Sequence, residues 1–556
     1  MLTNPLTSWI DTPAYHRGIR FRRGGDWECW TYGELAAFAR RIAAGIVASG
    51  VRRDDRVLVV ERTGPEFVAA LYGAMVAGAI PCPVAPPHLF QGEELYARHL
   101  HAIGETAQPS LVITSAELVD RLTFGDPGPL VRTAADLAGG DERAPGPPAS
   151  AALLQFTSGS SGRVKGVRVP VSALAANVAA ISGWLEMAEG DATASWLPVH
   201  HDMGLIGCLL TPVVQQRDLY LLEPAEFIRD PARYVACFNA PSSHAPFVPA
   251  PGAVMTAMPT FGLDYITRRV TPESLAGSDF SGWRALIVGA ERIDIDVLHR
   301  FLALMEPFGF DRRALLPAYG LAEATLAVTG LPLREEFATV PVAPRLTSLG
   351  RPVTSTGPEL QQVVGCGRAL DGVTVSVRDE SGDPLPDRHV GQIVVCGTSV
   401  AEGYVQASTG STSWRDGALW TGDAGFLDDG QLYVIGRLGD AMKVRGRTLF
   451  AEDIESALVE AGVPRLRVAV LLGSSAGGAT GVVLLERPEP AWVDAAAAVL
   501  RRLTEGVPVV LLDVARRSIQ RTTSGKPKRR VLWAAYIDGE LDATELSANT
   551  SRSSAV

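Results

Sequence analysis

Apolar residues follow two alternating periods along the first part of the chain. Residues 30–49 carry apolar side chains three and four positions apart, and Thr31 and Glu34 stand where a helix N-cap and its reciprocal partner would be. This segment is typical of an amphipathic helix. Residues 56–60 form a short apolar run between charged residues, which indicates a buried strand, and residues 65–80 predict a second helix. The alternation predicts an α/β fold with parallel strands.

The same alternation returns further along the chain, with one more helix expected at residues 172–185. Strands are predicted at residues 110–114, 153–156, 194–197, 219–222, 285–288 and 315–317. Beyond about residue 340, short strands and turns replace this pattern, and the pair Asp429-Gly430 between two apolar runs predicts a hairpin. We therefore expect a β-rich subdomain that completes a large N-terminal domain of residues 1–436.

The α/β pattern returns after this subdomain. Two helices are predicted at residues 451–461 and 493–504, and two strands at residues 467–472 and 481–485. We interpret residues 437–541 as a small C-terminal α/β domain. Residues 542–556 end in small polar side chains, which favours a disordered tail.

Length and charge narrow the functional classes. A chain of 556 residues is too long for one hydrophobic core, so at least two domains are expected. The formal net charge of −10 offers no positive surface for nucleic acid or an anionic membrane. The six cysteines are scattered without a CxxC pair, which favours reduced thiols over a zinc site.

Nothing in the sequence predicts a membrane span or an export signal. Residues 67–90 form an uncharged stretch that is long enough to span a bilayer. Its prolines at positions 81, 83, 86 and 87 instead favour a buried helix followed by an extended segment. Residues 1–18 lack a basic segment followed by an apolar run. We therefore expect a cytoplasmic protein without a transmembrane helix.

Residues 153–166 (LLQFTSGSSGRVKG) predict a phosphate site. An apolar run opens into glycines and hydroxyls before a single lysine. Glycines let backbone N–H groups approach anionic oxygens, hydroxyls donate hydrogen bonds, and a lysine adds positive charge. The alternative is a flexible Ser/Gly surface loop, against which the preceding strand and the well-spaced lysine weigh. The residues of this site are Thr157, Ser158, Gly159, Ser160, Ser161, Gly162 and Lys165.

The string TSGSSGRVKGV resembles the phosphate loop of the adenylate-forming superfamily, which includes acyl-CoA ligases, nonribosomal adenylation domains and luciferases. Val164 stands where a proline is usual. Further segments follow in that superfamily's order, so the resemblance runs from about residue 30 to residue 541: they are residues 195–207, 288–291, 317–330, 420–437 and 520–530. Residues 195–207 (SWLPVHHDMGLIG) resemble a string that is characteristic of fatty acyl-AMP ligases, the branch that this chain is most like.

A nucleotide site is implied by this resemblance. An aromatic side chain beside a glycine offers a stacking face for adenine, and a nearby carboxylate can hold Mg²⁺ against phosphates. For the string YGLAEA alone, the start of a helix is an equal alternative. The implied adenine contacts are Tyr319 and Gly320 with Gly289, Ala290 and Glu291. The resemblance also implies the other contacts of the nucleotide site: Glu323 binds Mg²⁺, Thr325 contacts the α-phosphate, Asp423 contacts the ribose hydroxyls, and Arg437 contacts the ribose or the α-phosphate.

An acyl pocket is implied as well. By resemblance His201 lies at its mouth beside the reacting carboxylate, although His200 and His201 alone would suit a helix cap or a core. The implied lining residues are Met203, Gly204, Ile206, Met258 and Phe261. Residues 257–265 depart from the family's usual pocket segment, so a bulky cyclic or aryl acid stays as open as a straight fatty acid.

Residues 520–530 (QRTTSGKPKRR) resemble the family's C-terminal catalytic loop. In that loop the lysine that matches Lys526 bridges the attacking carboxylate and the α-phosphate, whereas a solvated basic face is the ordinary interpretation of such a charge run. The basic residues that follow it, Lys528, Arg529 and Arg530, face either an acidic carrier protein or solvent. The implied hinge of a mobile small domain is Gly439 and Asp440. Because glycine replaces the usual charged residue at position 439, we expect free rotation without side-chain contacts that latch each state.

The predicted activity is ATP-dependent conversion of a hydrophobic carboxylic acid to acyl-AMP and pyrophosphate, with Mg²⁺. Residues 331–362 resemble an insertion that marks fatty acyl-AMP ligases and disfavours a CoA-accepting conformation, so an acyl carrier protein or a separate CoA-ligating enzyme is the expected acceptor. Three alternatives stay open. They are a complete acyl-CoA ligase, an inactive binding protein of this fold, and an adenylation domain for an amino acid.

Overall fold

The structure is a computed structural model of the chain. It describes residues 4–87, 93–125, 128–144, 146–158, 164–239, 252–343, 348–356, 360–406, 411–444, 447–475, 478–504, 508–521 and 526–548. Four predicted phosphate-loop residues, Gly159, Ser160, Ser161 and Gly162, lie outside these ranges, as does the side chain of Ser158.

Helices occur throughout the described chain, and the five predicted from apolar periodicity are among them. The described helices are α1 (Ser8–Asp11), α2 (Tyr32–Ala48), α3 (Pro65–Ala77), α4 (Glu93–Ala107), α5 (Ala134–Leu137), α6 (Val171–Trp184), α7 (Thr211–Val214), α8 (Pro224–Arg229), α9 (Pro231–Val235), α10 (Thr260–Arg269), α11 (Ile295–Met305), α12 (Ala451–Glu460), α13 (Pro490–Leu503) and α14 (Arg529–Ile537). A π-helix, Met203–Leu210, runs directly into α7.

The strands of the first half are β1 (Gly18–Arg23), β2 (Asp26–Thr31), β3 (Arg56–Val60), β4 (Ile80–Pro83), β5 (Leu111–Thr114), β6 (Leu130–Thr133), β7 (Leu153–Ser158), β8 (Val164–Val169), β9 (Ala192–Ser195), β10 (Asp218–Leu222), β11 (Met255–Met258), β12 (Ala285–Val288), β13 (Leu315–Gly320) and β14 (Ala327–Gly330). Those of the second half are β15 (Thr339–Val342), β16 (Gln361–Val364), β17 (Arg368–Ala369), β18 (Val373–Arg378), β19 (Gly391–Gly397), β20 (Gly403–Tyr404), β21 (Ser413–Arg415), β22 (Ala418–Asp428), β23 (Gln431–Arg437), β24 (Ala441–Val444), β25 (Arg447–Phe450), β26 (Val468–Ser475), β27 (Gly478–Glu486), β28 (Val509–Val514) and β29 (Ala543–Ala548).

Two mainly parallel sheets form the large part of the molecule and confirm the predicted α/β class. In the described residues one sheet has the order β17-β14-β13-β12-β11-β9-β10-β1-β2, and the other has the order β4-β3-β5-β6. The strands from β1 through β10, β9, β11 and β12 to β13 pair in parallel. Their carboxyl ends therefore meet at one edge, which is where ligands bind in open α/β sheets.

The first predicted helix is confirmed together with its cap. The Thr31 hydroxyl accepts a hydrogen bond from the Glu34 N–H at 3.2 Å, and the Glu34 carboxylate accepts one from the Thr31 N–H at 2.8 Å. These bonds satisfy two donors that the helix itself cannot pair. The helix then packs on α3 beside Trp9, whose ring meets Tyr32 at 5.5 Å and Tyr72 at 5.0 Å between ring centroids.

The uncharged stretch after residue 66 is divided as predicted between a helix and an extended segment. Helix α3 ends at Ala77, and β4 then pairs in parallel with β3. Among the described residues the structure contains no helix with the length and apolar character that a bilayer crossing requires.

The predicted β-rich subdomain forms the sheet β18-β19-β22-β21, with β23 on β22. Strands β22 and β23 are joined by Asp429 and Gly430, whose φ angles of 49° and 73° are those of a tight hairpin turn. The predicted domain boundary falls at the last residue of β23, and the position of that boundary stays a prediction.

The C-terminal unit, defined here as α12, α13 and α14 with the sheet β26-β27-β28-β29, has its own apolar core. The prediction of a disordered tail from residue 542 is wrong for β29, which pairs with β28. Side chains at positions 544–546 are exposed, as they would be in a tail, but the backbone of the segment forms the edge of a sheet. Residues 549–556 lie outside the described ranges.

Candidate functional site

A β-hairpin carries the predicted phosphate loop. Strands β7 and β8 pair antiparallel, and Thr157 lies opposite Lys165 at the end from which residues 159–163 extend. Leu153 and Leu154 of β7 are buried and Phe156 is partly buried, which anchors the hairpin in the apolar core. Lys165 lies on the second strand of this hairpin rather than on a helix.

Lys165, Tyr404 and Glu323 form one cluster beside this hairpin. The Lys165 ammonium lies 4.7 Å from the centroid of the Tyr404 ring, and the Tyr404 hydroxyl donates to the Glu323 carboxylate. Burial lowers the pKa of Lys165, and the nearby Glu323 carboxylate opposes that shift. Burial, and then the charge of Glu323, raise the pKa of Tyr404. The cluster is therefore a preorganised cation with one buried carboxylate next to it.

The Glu323 carboxylate suits the predicted magnesium role. Its residue is only 6% exposed, and its backbone carbonyl accepts from the Ala401 N–H at 2.9 Å, which fixes the segment. In the part of the chain that the structure describes, no group of three His, Cys, Asp or Glu side chains could hold a metal by itself. One carboxylate fits Mg²⁺, because this ion usually takes one or two protein carboxylates and completes its shell with water and substrate phosphates.

Thr325 does not take the position expected for a phosphate contact. It is fully buried, and its hydroxyl donates to the Ser399 carbonyl oxygen at 2.6 Å. Its φ of 70° lies in the left-handed region, where the Leu326 N–H closes a tight turn onto Ala324 O at 2.9 Å. Such a backbone is costly for a β-branched residue. The structure therefore argues against the α-phosphate role and assigns Thr325 to holding the turn after Glu323.

Tyr319, Asp423 and Arg437 meet at the end of the site where the sequence predicts nucleotide contacts, called here the nucleotide end. The Tyr319 hydroxyl donates to one oxygen of Asp423 at 2.6 Å, and Arg437 Nε donates to the other at 2.9 Å. Strands β22 and β23 place Asp423 directly opposite Arg437. The Asp423 carboxylate raises the pKa of Arg437, and burial followed by the same carboxylate raises the pKa of Tyr319. Three residues that the sequence separates are thus one hydrogen-bonded unit.

An apolar cavity opens from this nucleotide end into the parallel sheet. Its volume is about 750 Å³ when the open solvent at its mouth is included. Gly289, Ala290, Tyr319 and Gly320, which the sequence predicts as nucleotide contacts, line the cavity together with Trp184 and Met187. The other walls come from strands of the sheet and from two helices; they include Ile181, Leu185, Thr193, Met203, Gly207, Cys208, Met255, Thr256, Ala257 and Ile287.

The π-helix changes which residues face the cavity. Met203 lines it as predicted, but Gly207 and Cys208 take the places expected for Gly204 and Ile206. A Cβ at Gly204 would lie 2.3 Å from the Pro198 carbonyl oxygen, so that position serves close packing instead. The turns of a π-helix are wider than those of an α-helix, and in this one Met203, Gly207 and Cys208 face the cavity. Burial raises the pKa of the Cys208 thiol to about 11, so this part of the wall is uncharged.

Met258 and Phe261 also lie away from the cavity, contrary to the prediction. Met258 is buried in the core behind β11, and the ring of Phe261 packs on Trp196 at 6.1 Å between centroids. The backbone N–H of Phe261 donates to the Glu291 carboxylate at 2.8 Å. The cavity is lined instead by the three strand residues just before Met258.

Asp202 stands at the cavity wall beside the predicted His201. The rings of His200 and His201 lie 4.8 Å apart, and the His201 carbonyl oxygen accepts from the Leu205 N–H at 2.6 Å. Asp202 lines the cavity and accepts from the Met203 N–H at 2.8 Å. Burial raises the pKa of this carboxyl group. Asp202 belongs to the motif of residues 195–207, but the resemblance implies no role for it.

Lys526 reaches this junction from the C-terminal unit. Its side chain contacts solvent in the cleft, and Asp202, Glu291 and Asp423 all lie within electrostatic reach of its ammonium. Burial by the surrounding protein is the largest cause that lowers the pKa of Lys526, and the positive charge of Arg437 adds to it. The chain therefore places a second lysine between the cavity and the nucleotide end.

The basic residues after Lys526 have different surroundings. Arg529 is buried among Asp440, Glu452 and Glu455, with contacts of 3.0, 3.0 and 2.8 Å. The prediction that Arg529 faces a carrier protein or solvent is therefore wrong, because three carboxylates offset its charge inside the protein. Lys528 is half-buried, and burial lowers its pKa.

The predicted hinge lies in the short 3-10 turn Leu438–Asp440. A Cβ at Gly439 would lie 2.9 Å from Arg530 Nη2 and 3.2 Å from Ser411 Oγ, so the glycine makes room for this guanidinium. Asp440 is held by Arg529, which is a side-chain contact that the sequence did not predict. The hinge function of Gly439 and Asp440 stays a prediction.

Comparison with protein families and relatives gives a consistent result. The family model described as AMP-binding enzyme matches residues 6–405. The long-chain-fatty-acid–AMP ligase FadD32 of Mycolicibacterium smegmatis is 30% identical over 93% of this chain and 90% of its own. The medium-chain-fatty-acid–acyl-carrier-protein ligase JamA of Moorena producens is 30% identical over 94% of this chain and 93% of its own.

Solved structures agree with the sequence relatives. A structure from a study of fatty acyl-adenylate ligases of E. coli and L. pneumophila superposes with a TM-score of 0.85 and is 29% identical. The match covers 96% of this chain and 98% of that one, so the shared fold extends through the C-terminal unit.

We expect Asp423→Asn to weaken ATP binding about tenfold or more, because a neutral amide accepts hydrogen bonds from ribose and Arg437 less strongly than a carboxylate. Isothermal titration of the purified protein with ATP measures the change. Tyr319→Phe is the matched control, since it removes the other partner of Asp423 but keeps the ring. Equal ATP affinity of Asp423→Asn and the unaltered protein would contradict the assigned role.

Glu323→Gln should raise the Mg²⁺ concentration needed for half-maximal activity by about tenfold or more, because the buried ligand loses its charge. Titration of pyrophosphate release with MgCl₂ tests this. Glu402→Gln is the control, since Glu402 is a nearby carboxylate that is 50% exposed and pairs with Arg168. The same Mg²⁺ dependence in both variants would refute the assignment.

Proposed function

Because the chain belongs to the AMP-binding enzymes, we propose that it activates a fatty acid as its acyl adenylate and passes the acyl group to a carrier protein. It is an ATP-dependent acyl-AMP ligase. The observation that carries the proposal is the apolar cavity that opens beside Tyr319 and Asp423, with Lys526 and Asp202 at the junction. An acid in the cavity would present its carboxylate where the α-phosphate of ATP would lie.

The cavity favours a fatty acid over an amino acid. Its walls are mainly apolar, and two relatives are named for long-chain and medium-chain fatty acids. Asp264, the carboxylate considered for a substrate ammonium, is paired with Arg268 at 2.8 Å and with Arg300 at 3.2 Å. Asp202 does line the wall, but it faces the Lys526 charge. Neither carboxylate is therefore available for an amino group.

The reaction requires neutralisation of two approaching anions, the carboxylate and the triphosphate. We assign the β- and γ-phosphates to Lys165 with the loop after Thr157, the ribose to Asp423, and the charge that develops at the α-phosphate to Lys526. Mg²⁺ held through Glu323 would screen the triphosphate when bound. The carboxylate oxygen bonds to the α-phosphorus and pyrophosphate leaves, so the products are acyl-AMP and pyrophosphate.

The insertion at residues 331–362 supports a carrier protein as acceptor. Its strand β15 pairs antiparallel with β16, which begins at the end of the insertion, and Val340 and Val342 belong to one apolar cluster with Phe450. Phe450 lies beyond the predicted hinge, so the insertion contacts the chain on both sides of it. A segment packed in this way resists the rearrangement that would admit CoA. One relative is named as an acyl-carrier-protein ligase, which agrees with this acceptor.

The test of the function is product analysis across a series of fatty acids, with CoA and with phosphopantetheinylated carrier protein in separate reactions. We expect acyl-AMP to accumulate with CoA and the acyl group to transfer to the carrier. Acyl-CoA as the main product would instead assign the chain as a complete acyl-CoA ligase.

Lys526→Ala should slow adenylate formation roughly 10²–10³-fold, since one well-placed cation at the developing charge is lost. Pyrophosphate release in a single turnover measures this. Lys528→Ala, two positions further along, is the control and should retain the unaltered rate. Near-normal activity of a folded Lys526→Ala variant would show that the catalytic assignment is wrong.

Trp184 should limit the length of the acid. Its side chain lines the cavity, its indole N–H donates to the Leu331 carbonyl oxygen at 2.7 Å, and a Cβ at Gly330 would meet its ring at 2.2 Å, so this part of the wall is fixed. We expect Trp184→Ala to shift the maximum of kcat/KM toward longer acids, whereas Trp184→Phe should shift it less. An unchanged length profile in Trp184→Ala would contradict the location of the acyl chain in this cavity.

A further inference from the structure

Residues 291–294 (ERID) connect the ligand cavity to the C-terminal unit. They follow Gly289 and Ala290, which line the cavity, and Ala290 has a φ of 67°, an unusual conformation for a residue with a Cβ. The same short segment then carries charges of opposite sign at positions 292 and 294. A movement of this loop would therefore change both the cavity lining and the contacts with the C-terminal unit.

The first contact is made by Arg292. Its guanidinium binds the Asp453 carboxylate on α12, and its second terminal nitrogen donates to the Gln361 side chain at 2.9 Å. The Arg292 and Asp453 side chains are only 20% and 6% exposed. A charge pair this well shielded depends on its geometry, because each charge has lost most of its water.

The second contact has the reverse polarity. One Asp294 oxygen caps α11 by accepting from the Asp296 N–H at 3.0 Å, and the other binds the Arg465 guanidinium of the C-terminal unit. If the C-terminal unit slid or turned, like charges would meet at position 292 or at position 294. The two pairs therefore select one relative orientation.

A line of contacts leads from the second pair to the catalytic lysine. Arg521 donates to the backbone carbonyl oxygens of Arg465 and Val468, at 3.3 and 2.9 Å. Arg521 also forms a β-bridge with Pro527, the residue directly after Lys526. The position of Lys526 is thus tied to the segment that Asp294 holds.

We propose that Arg292 and Asp294 with Asp453 and Arg465 form an interdomain clamp that positions Lys526 over the cavity for adenylate formation. The proposal rests on the proposed function, because it assigns the clamp to the step that uses Lys526. The four clamp residues are positioning residues and act only through Lys526. Transfer of the acyl group from preformed acyl-AMP does not need the Lys526 charge, so it should not need the clamp.

The test is a charge exchange across the first pair. Arg292→Asp should lower the single-turnover rate of adenylate formation about tenfold or more, since two carboxylates would then face each other. Asp453→Arg should do the same. The double variant Arg292→Asp, Asp453→Arg should recover most of the rate, and transfer from preformed acyl-AMP to carrier protein should stay unchanged in all three.

A second readout does not depend on activity. Hydrogen–deuterium exchange of α12 should rise in Arg292→Asp and return to the unaltered level in the double variant, because the clamp holds α12 in place. Arg20→Ala is the matched control: Arg20 pairs with Asp218 within the large sheet, with side chains 18% and 12% exposed, and its loss should change neither readout.

The outcomes separate the clamp from the proposed function. Unchanged exchange and unchanged adenylation in Arg292→Asp would overturn the clamp, as would a double variant that recovers neither. Equal slowing of adenylation and transfer would show a merely structural role and would also overturn it. An unaltered protein that releases no pyrophosphate with any acid would refute the proposed function, and the clamp's assignment to that step with it, whatever the exchange data show.

Discussion

Repulsion between a carboxylate and a triphosphate is the constraint on which this site depends. In the proposed reaction the chain meets it with cations from separate parts of the fold: Lys165 from a hairpin, Arg437 from the β-rich subdomain and Lys526 from the C-terminal unit. Burial of these cations, followed by the nearby charge of Arg437, has an electrostatic cost that lowers the pKa of both lysines. Glu323 and Asp423 offset part of that cost, since each stands beside one of these cations. The negative charges of bound substrates would offset the remainder, so the site favours binding of anionic substrates.

The cavity and Lys526 are positioned by different parts of the fold. Strands of the parallel sheet and two helices supply the walls of the cavity, and a buried core fixes them. Lys526, the proposed catalytic lysine, belongs to a unit with its own core, so its position relative to the cavity depends on contacts between units. Charged pairs suit such an interface because they specify orientation without requiring a large apolar surface. The acid and the nucleotide can therefore share a site built from three separate segments.

Much of this could be predicted from sequence, and the failures have physical causes. Helix α2 with its cap and the hairpin at Asp429 depend on neighbours in sequence, so local patterns predict them. Tyr404 has no local signal, because only the pairing of β20 with β8 brings it to Lys165. The resemblance points to Met203, Gly204 and Ile206 as lining residues, but the side chains that face the cavity depend on the π-helix, for which the sequence carries no signal. Strand β29 lies in a segment that ends in small polar residues, so only its pairing with β28 identifies it as a strand.

The most direct test of acyl-adenylate formation traces one oxygen atom of the substrate carboxylate. A fatty acid labelled with ¹⁸O in its carboxylate is supplied with ATP, Mg²⁺ and carrier protein, and the released AMP is analysed by mass spectrometry. If the carboxylate attacks the α-phosphorus, the bridging oxygen stays with AMP when the thiol takes the acyl group, so AMP gains one ¹⁸O. Unlabelled AMP from a reaction that loads the carrier would mean that no acyl adenylate forms at this site.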